Sequence, residues 1–151
     1  MNIRPASEED RCNLFEIHRE VFGTHIEKIW GWDENWQREN FDTEFHSTRT
    51  SVIEFDGRIG GYIQVRDEEN RIYLQNIALT SEFQGIGIGA KLVEELQSKA
   101  ARQELPLELS VFRTNANARR FYERCGFRVV GKTDAFVEMS WNCANPDNIR
   151  V

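Results

Sequence analysis

Three alternating glycines lie between a predicted strand and a predicted helix, in the segment Gln84–Ala90, which reads Q-G-I-G-I-G-A. The apolar run I-Y-L-Q-N-I-A-L precedes this segment, and the helical stretch K-L-V-E-E-L follows it. Glycines let a backbone approach a ligand closely, and the first turn of a helix presents unpaired N–H groups at the positive end of its dipole. The order of strand, glycine-rich turn and helix therefore predicts an α/β chain with an anion site for a phosphorylated ligand.

Size and charge narrow the classes of protein to consider. The chain has 151 residues, 40% of them hydrophobic, which suits one domain with a full core. The formal net charge is −6 with no basic run, so nucleic acid and anionic membrane surfaces are poor partners. An acidic surface suits a cationic acceptor such as an amine. The first residues, M-N-I-R-P-A, contain no apolar stretch of signal-peptide length, and no run approaches the ~20 apolar residues that span a bilayer. We expect a cytoplasmic protein.

Apolar periodicity and turn residues predict a single domain over residues 1–151 with the element order β-α-α-β-β-β-α-β-α-β-β. The first helix follows Ser7 and is expected to end near Gly23, and a tight turn at Asp56-Gly57 joins the strands of a hairpin. One helix connects the third strand of the sheet to the next, which predicts that these two strands are parallel. The other predicted segments are a helix over Trp32–Phe45, a strand over Arg71–Leu79, a helix after the glycine loop, a strand after Pro106, a helix capped by Thr114 or Asn115 and stopped by Gly126, two final strands, and an irregular tail over 142–151.

The spacing of the loop glycines distinguishes between nucleotide-binding families. A dinucleotide-binding fingerprint has G-x-G-x-x-G near the start of a βαβ unit, whereas this loop has G-x-G-x-G in mid-chain. The P-loop pattern G-x-x-x-x-G-K-[ST] is absent from the sequence. A merely flexible turn is disfavoured as well, because three glycines at a helix start lower stability.

A second motif follows in the segment Val111–Phe127, which reads V-F-R-T-N-A-N-A-R-R-F-Y-E-R-C-G-F. Its helical spacing places Asn115, Ala118 and Tyr122 on one face of a helix, which can look toward the cleft where the two parallel strands part. Considered alone, Tyr122 is a buried aromatic residue and Asn115 is a helix N-cap.

The two motifs together resemble the GNAT superfamily of N-acetyltransferases. The spacing Gln84-x-x-Gly87-x-Gly89 is similar to the family's pyrophosphate loop. The second motif is similar to the family's pattern N-x-x-A-x-x-x-Y-x-x-x-G-F, which ends here at Gly126 and Phe127 without a departure. The motifs and flanking strands cover Arg71 to Trp141, and the element order extends the resemblance over nearly the whole chain.

The resemblance implies a GNAT-like fold, with a mixed central sheet of about six or seven strands flanked by about four helices. It also implies acetyl-CoA as co-substrate and no metal. In this reading Tyr122 donates its phenolic proton to the thiolate leaving group, since its pKa of ~10 lies slightly above that of an alkyl thiol. One backbone N–H near Ile77 would stabilise the charge on the thioester oxygen. The implied cofactor-binding residues are Ile77, Ala78 and Leu79 for pantetheine, Gln84, Gly85, Ile86, Gly87, Ile88, Gly89 and Ala90 for the pyrophosphate, and Asn115, Ala118 and Tyr122.

No residue of the sequence is an obvious general base. An alkylammonium acceptor must lose a proton before its nitrogen attacks the thioester, and some family members use a glutamate on the strand before the glycine loop. Arg71–Thr80 contains no carboxylate. The carboxylates of neighbouring segments are expected to be solvated surface groups, and a water chain to the backbone or a water held by a side chain of the strand is an equal alternative. The carboxylates in question are Glu54, Glu108, Asp33 and Glu34. The strand side chains that could hold a water are Tyr73 and Gln75.

Three tryptophans lie close together near the second predicted helix. We expect Trp36 to pack that helix onto the sheet. Trp30 and Trp32 either pack in the same way or form an aromatic wall that binds an amine acceptor through cation–π contacts. His18 lies on an apolar stripe, which indicates a structural role. Two further histidines, His25 and His46, and three cysteines, Cys12, Cys125 and Cys143, have no metal-ligand or disulfide spacing, so we expect no metal site and no disulfide framework.

The sequence therefore favours an enzyme that transfers an acetyl group from acetyl-CoA to a primary amine of a small molecule or peptide, by direct attack in a ternary complex. The alternative is a non-catalytic acyl-CoA-binding sensor or regulatory protein, which the missing strand carboxylate favours. An interaction module that has lost cofactor binding is disfavoured, because the loop is intact. Polyamine, aminoglycoside, amino acid, protein N-terminus and lysine stay open as acceptors, and the acidic stretch Asp33–Glu44 favours a small cationic amine. The last strands could also pair across a homodimer.

Overall fold

The computed structural model describes residues 1–143, so residues 144–151 of the predicted tail lie outside the described part. Within it, seven strands and four α-helices follow one another in the predicted order, with short 3₁₀ helices at Glu8–Asp10 and Ser81–Phe83. The elements are β1 (Asn2–Pro5), α1 (Arg11–Ile29), α2 (Glu34–Ser47), β2 (Arg49–Phe55), β3 (Arg58–Asp67), β4 (Ile72–Leu79), α3 (Ile88–Gln103), β5 (Leu107–Phe112), α4 (Ala116–Arg124), β6 (Arg128–Lys132) and β7 (Phe136–Trp141).

The strands form a mixed seven-stranded sheet in the order β1-β2-β3-β4-β5-β7-β6. β4 and β5 are parallel, with Ile72 opposite Leu107 and Leu74 opposite Leu109. Because a single helix connects these two strands, their parallel pairing confirms the prediction from the crossover. The β1–β2, β2–β3, β5–β7 and β6–β7 pairs are antiparallel. The predicted mixed α/β architecture is confirmed.

The chain divides into two compact units, which we describe separately. Unit 1 comprises Met1–Arg66 and Gln75–Ile86. Its core forms where α1 and α2 bury their apolar faces with side chains of β2, β3 and β4. The buried members of this core are Leu14, Phe15, Ile17, Phe41, Phe45, Val52, Tyr62 and Ala78.

Unit 2 comprises Asp67–Leu74 and the chain from Gly87 onwards. The predicted apolar stripe of α3 is confirmed, since Ile88, Leu92, Leu96 and Ala100 are all buried. Alternate residues of β5 are buried too, as the period of a strand requires.

The first helix is longer than predicted. α1 continues through Gly23 to Ile29, so the prediction that it ends near Gly23 was wrong. The glycine that ends it is Gly31, which has a φ of 83° and whose N–H donates to the carbonyl of Glu27 at 3.0 Å. A left-handed glycine with this bond is a standard helix stop. The packing of α1 in the unit 1 core outweighs the low helix propensity of Gly23.

The predicted hairpin is confirmed, and it carries a bulge that the sequence did not indicate. Asp56 and Gly57 both have positive φ, as the tight turn requires. Ile53 is opposite Gly61 and Glu54 is opposite Ile59, so Gly60 is an extra residue on β3. A Cβ at Gly61 would lie well inside 3.0 Å of the Ala78 carbonyl oxygen, so only glycine fits beside β4 at this point.

Candidate functional site

The first half of the glycine loop belongs to unit 1. Gln84 Nε2 donates to the carbonyl oxygen of Leu79 at 2.7 Å, which ties the start of the loop to the last residue of β4. Gly85 has a φ of 75°, and a Cβ there would meet no atom within 4 Å. Ile86 is exposed. Gly85 is therefore required by backbone conformation, while the space beside it is open.

The second half of the loop belongs to unit 2 and begins α3. Gly87 is the N-cap with a φ of 88°, and its carbonyl accepts the N–H of Lys91 at 3.1 Å. The N–H groups of Ile88, Gly89 and Ala90 lie in the first turn, where an α-helix has no internal acceptor for them. A Cβ at Gly87 would also meet no atom within 4 Å. This helix start can bind an anion through its backbone N–H groups and its dipole.

The predicted pantetheine-binding residues form the end of β4 in unit 1. Ala78 is completely buried, while Ile77 and Leu79 are partly buried. The glycine pair of β3 lets the two strands approach closely here, and Thr80 N–H donates to the Gly60 carbonyl at 2.9 Å. Side-chain burial in this segment leaves the backbone as the part that could contact a ligand.

The second motif forms α4 in unit 2, and each of its polar and glycine positions has a structural reason. The side chain of Asn115 caps the helix by accepting the N–H of Ala118 at 3.1 Å, so Asn115 and not Thr114 is the N-cap. Gly126, with a φ of 97°, donates to the Glu123 carbonyl, and Phe127 N–H donates to the Tyr122 carbonyl at 3.0 Å. These two bonds are the Schellman motif that ends a helix.

Tyr122 is held by the residues that end α4. Its ring packs edge-on against Phe127 with 5.5 Å between centroids, the hydrophobic contact that accompanies a Schellman motif. Phe121 contacts the other side at 5.0 Å. Burial, helped by the nearby Cys125, raises the pKa of the Tyr122 phenol well above its usual value. The hydroxyl is therefore protonated at neutral pH, and burial makes its proton harder to release.

Three of the carboxylates considered as general bases already have partners, two of them in ion pairs with partly buried side chains and the third at a helix N-cap. Glu54 pairs with Arg4 at 3.3 Å, and Glu108 pairs with Arg71 at 3.2 Å. Asp33 caps α2. In unit 2, the hydroxyls of Tyr73 and Ser110, at the start of β4 and on β5, lie 2.9 Å apart.

Glu34 belongs to a network that also includes a candidate acceptor residue. It pairs with Arg19 at 2.8 Å and accepts the Trp32 indole N–H at 2.8 Å, and these bonds lower the pKa of its carboxyl to about 2. The Trp32 ring packs against Phe15, and Arg19 covers it at 5.1 Å. This face of Trp32 thus already makes a cation–π contact within unit 1.

The other two tryptophans are on the surface. Trp30 is 58% exposed and ends α1. Trp36 is 55% exposed, so the prediction that it packs α2 onto the sheet was wrong. The buried face of α2 consists of Gln37, Phe41 and Phe45. Position 36 lies outside that stripe, and an aromatic side chain does not by itself decide which face of a helix is buried.

His18 is structural, as predicted from its apolar stripe. It is largely enclosed by aromatic rings, including those of Phe15, Trp32 and Phe41, and its Nε2 lies 3.0 Å from Gln37 Oε1. Burial lowers the pKa of the imidazole, so it is neutral at physiological pH.

Sequence reasoning missed Glu44. This residue lies three positions after Phe41 on α2, and its carboxylate accepts hydrogen bonds from Asn40 at 2.7 Å and from Asn76 on β4 at 3.3 Å. Burial raises the pKa of the carboxyl, and the amide bonds and the charge of Arg66 oppose that effect. The signal was present in the sequence, because a glutamate between Phe41 and Phe45 occupies the apolar face of the helix.

Residues 1–143 contain no cluster of histidine, cysteine and acidic side chains that could hold a metal ion. The helices of that part are also too short or too polar to cross a bilayer.

Comparison with known proteins identifies relatives of the chain. The model of the acetyltransferase (GNAT) family matches residues 12–127. The spermine/spermidine N(1)-acetyltransferase of Bacillus subtilis is 33% identical over 145 residues, which cover 89% of this chain and 91% of that protein. The 5-NmdU N-acetyltransferase of Pseudomonas phage PaMx11 is 33% identical over 86 residues, 54% of this chain and 59% of the phage protein.

A solved structure has the same fold. The crystal structure of the PaiA N-acetyltransferase of Thermoplasma acidophilum, in complex with coenzyme A, superposes with a TM-score of 0.77 over 93% of this chain and 98% of that protein. The sequences are 23% identical, so this likeness concerns the fold.

Proposed function

We propose, since this chain belongs to the acetyltransferase (GNAT) family and is an N-acetyltransferase, that it transfers the acetyl group of acetyl-CoA to a primary amine of a small molecule or peptide. The amine attacks the thioester directly in a ternary complex. The observation that carries this proposal is the α4 segment, where Asn115, Gly126 and Phe127 fix both ends of the helix and position Tyr122. The cap, the helix stop and the Phe127 ring thereby hold one side chain that can donate a proton.

The glycine loop binds the pyrophosphate of the cofactor in this proposal. Two features support it: the N-terminal turn of α3 offers backbone N–H donors, and Gly85 and Gly87 combine a positive φ with open space at their Cβ positions. The remaining loop residues Gln84, Ile86, Ile88, Gly89 and Ala90 contribute backbone. The backbone of Ile77–Leu79 holds pantetheine, and an N–H near Ile77 polarises the thioester carbonyl.

Tyr122 protonates the departing thiolate. The phenol is protonated at neutral pH, as an acid must be at the start of the step, and the burial that raises its pKa also makes a thiolate formed beside it a stronger base. The properties of Cys125, the cysteine within the second motif, favour direct attack over a covalent acetyl-enzyme. Burial raises the pKa of that thiol, which lowers its thiolate fraction and hence its nucleophilicity.

A small cationic amine is the acceptor class that the chain supports best. The relative from Bacillus subtilis that covers most of this chain is named for spermine and spermidine. The net charge of −6 attracts polycations over long distance.

The test is the release of free thiol from acetyl-CoA with a panel of amines: spermidine, L-lysine, tobramycin and a peptide with an N-terminal alanine. Wild type is compared with Tyr122→Phe and Gly87→Glu, and the affinity for coenzyme A is measured in parallel. Gly57→Glu is the matched control for Gly87→Glu, because Gly57 also has a positive φ (75°) and open space beside it, but lies in the hairpin turn.

We expect wild type to turn over spermidine or another panel amine. Tyr122→Phe should lose about 100-fold or more in kcat with unchanged coenzyme A affinity. Gly87→Glu should lose coenzyme A binding, whereas Gly57→Glu should not. Tight coenzyme A binding without turnover on any amine would instead support the sensor function. Equal loss of binding in both glutamate variants would refute the assignment of the glycine loop.

A further inference from the structure

A polar cluster lies under α2 in unit 1, at a place where apolar side chains would give the greater stability. Asn40 and Asn76 donate to the two carboxylate oxygens of Glu44 at 2.7 and 3.3 Å. Asn76 Nδ2 also donates to Gln64 Oε1 at 2.7 Å, and Gln64 Nε2 donates to Thr50 Oγ1 at 3.4 Å. Amides of α2 and β4 thus orient the Glu44 carboxylate, and Gln64 on β3 holds Asn76 in place.

A buried hydroxyl without a partner lies in the same region. Tyr62 Oη forms no hydrogen bond to any residue that the structure describes, although the side chain is completely buried. Its ring packs edge-on against Phe41 at 5.9 Å. Tyr62 lies two residues before Gln64 on β3, so their side chains share one face of the sheet, and Phe41 lies one helical turn before Glu44 on α2. Burial raises the pKa of the Tyr62 phenol, and the charge of Glu44 raises it further. Buried hydroxyls are nearly always hydrogen-bonded in native proteins, so an unpaired hydroxyl in the same region as an oriented carboxylate indicates a ligand-binding role.

We propose that Glu44 and Tyr62 bind the ammonium group of the acceptor, and that Glu44 accepts the proton that this group loses. The inference rests on the proposed acetyltransferase function and names the general base that β4 does not supply. An ammonium group has only donors, and the Glu44 carboxylate and the Tyr62 oxygen are acceptors that it can satisfy together. An anionic ligand would instead meet the negative charge of Glu44.

The proton transfer completes the reaction with all atoms accounted for. The carboxylate of Glu44 takes one proton from R–NH₃⁺ and leaves the neutral amine R–NH₂. The nitrogen lone pair forms the C–N bond at the thioester carbon, and the C–S bond breaks with its electron pair on sulfur. The thiolate takes the phenolic proton of Tyr122, and the second proton of the nitrogen restores that phenol. Glu44 then releases its proton to solvent, so the products are the amide, coenzyme A and one proton.

The groups that face Glu44 shift the pKa of its carboxyl. Arg66 on β3 lowers the pKa of the carboxyl through its charge, and hydrogen bonds from Asn40, Gln75 and Asn76 act in the same direction. Burial acts in the opposite direction and is the largest effect. A carboxyl that is costly to keep ionised is a better proton acceptor than an exposed one.

The test compares Glu44→Gln with Glu39→Gln, an exposed glutamate on the same helix. The substrate is the panel amine with the highest kcat/KM, measured from pH 6 to pH 10. We expect Glu44→Gln to lower kcat/KM for the amine about 100-fold or more at pH 7, while its affinity for coenzyme A stays within about twofold of wild type. The defect should shrink towards pH 10, where alkylamines begin to lose the proton unaided. Glu39→Gln should match wild type throughout.

Stability separates this role from a structural one. Glu44→Gln removes a buried charge, but it also places an NH₂ donor opposite Asn40 or Asn76, so the two effects oppose one another and Tm should change by no more than about 4 °C while activity falls. Tyr62→Phe removes a hydroxyl that bonds to no described residue, so it should fold normally and lower kcat/KM for the amine about three- to tenfold.

Two results would overturn the inference. If wild type turns over and Glu44→Gln has the same kcat/KM and pH profile, Glu44 is not the base. The acetyltransferase function would remain intact in that case. A defect of equal size at every pH, together with a Tm lowered by more than about 4 °C or weaker coenzyme A binding, would assign Glu44 a purely structural role. Failure of wild type on the whole panel would refute the proposed function itself.

Discussion

Two glycines in unit 1 should respond to the same substitution with opposite signs. Gly23 lies inside α1 with ordinary helical backbone, and a Cβ there would contact Trp32 at 3.8 Å and Arg19 at 4.0 Å, which are normal van der Waals distances. Gly31 has a φ of 83° just after the helix, with no atom within 4 Å of its Cβ position. Gly23→Ala therefore adds helix propensity, whereas Gly31→Ala strains the backbone.

The sizes follow from these conformations. Alanine in place of glycine within a helix stabilises by about 0.5–1 kcal/mol. A left-handed conformation costs an alanine roughly 1–2 kcal/mol. For a chain of this length, 1 kcal/mol shifts Tm by about 2–4 °C. We expect Gly23→Ala to raise Tm by about 1–4 °C and Gly31→Ala to lower it by about 2–8 °C.

Thermal and urea unfolding, followed by circular dichroism, measure both variants against wild type. The double variant should show the sum of the two changes in Tm, because Gly23 and Gly31 lie in different turns and do not contact one another. If Gly23→Ala destabilised the protein, or if Gly31→Ala were neutral, α1 would not continue through Gly23 to a stop at Gly31, and the reasoning would fail.

Three further predictions concern other parts of the chain. Gly61→Ala should destabilise by about 3 kcal/mol, since the new Cβ meets the backbone carbonyl of Ala78, which cannot rotate away; urea unfolding measures this, and a loss under about 1 kcal/mol would contradict the close strand approach. Arg4 lowers the pKa of Asp10 to about 2, so the stability that this pair provides is complete above pH 4 and is lost between pH 4 and pH 2. Asp10→Asn should be less stable at pH 7, and its stability should change less over that acid range. A parallel loss of stability in both proteins would refute the assignment. Tyr122→Phe should lower kcat without lowering Tm by more than about 2 °C, because the ring contacts of α4 remain; a large drop in Tm would indicate that the hydroxyl is structural.

Local conformation could be predicted at positions where only a few residue types can adopt the required backbone or make the required cap. The Asp56-Gly57 turn, the Asn115 cap and the stop at Gly126 all require backbone or side-chain properties that few residues supply. The parallel pairing of β4 with β5 followed in the same way, because a single helix between two strands of one sheet returns the chain in the same direction. The glycine loop and the α4 motif were likewise readable, since each is a run of neighbouring residues with its own geometry.

Burial could not be predicted in this way, because it depends on residues that are distant in the sequence. The sequence alone could not show that α1 passes through Gly23, since the packing that outweighs its propensity comes from α2 and the strands of unit 1. The exposure of Trp36 depends on which stripe of α2 faces that core. Glu44 becomes a candidate base only because α2 brings its carboxylate to Asn76 on β4 and brings Phe41 of the same helix to Tyr62 on β3. The sequence by itself thus determined the local motifs and the family, whereas the tertiary structure decided which polar groups lost their water, since only packing removes solvent from a side chain.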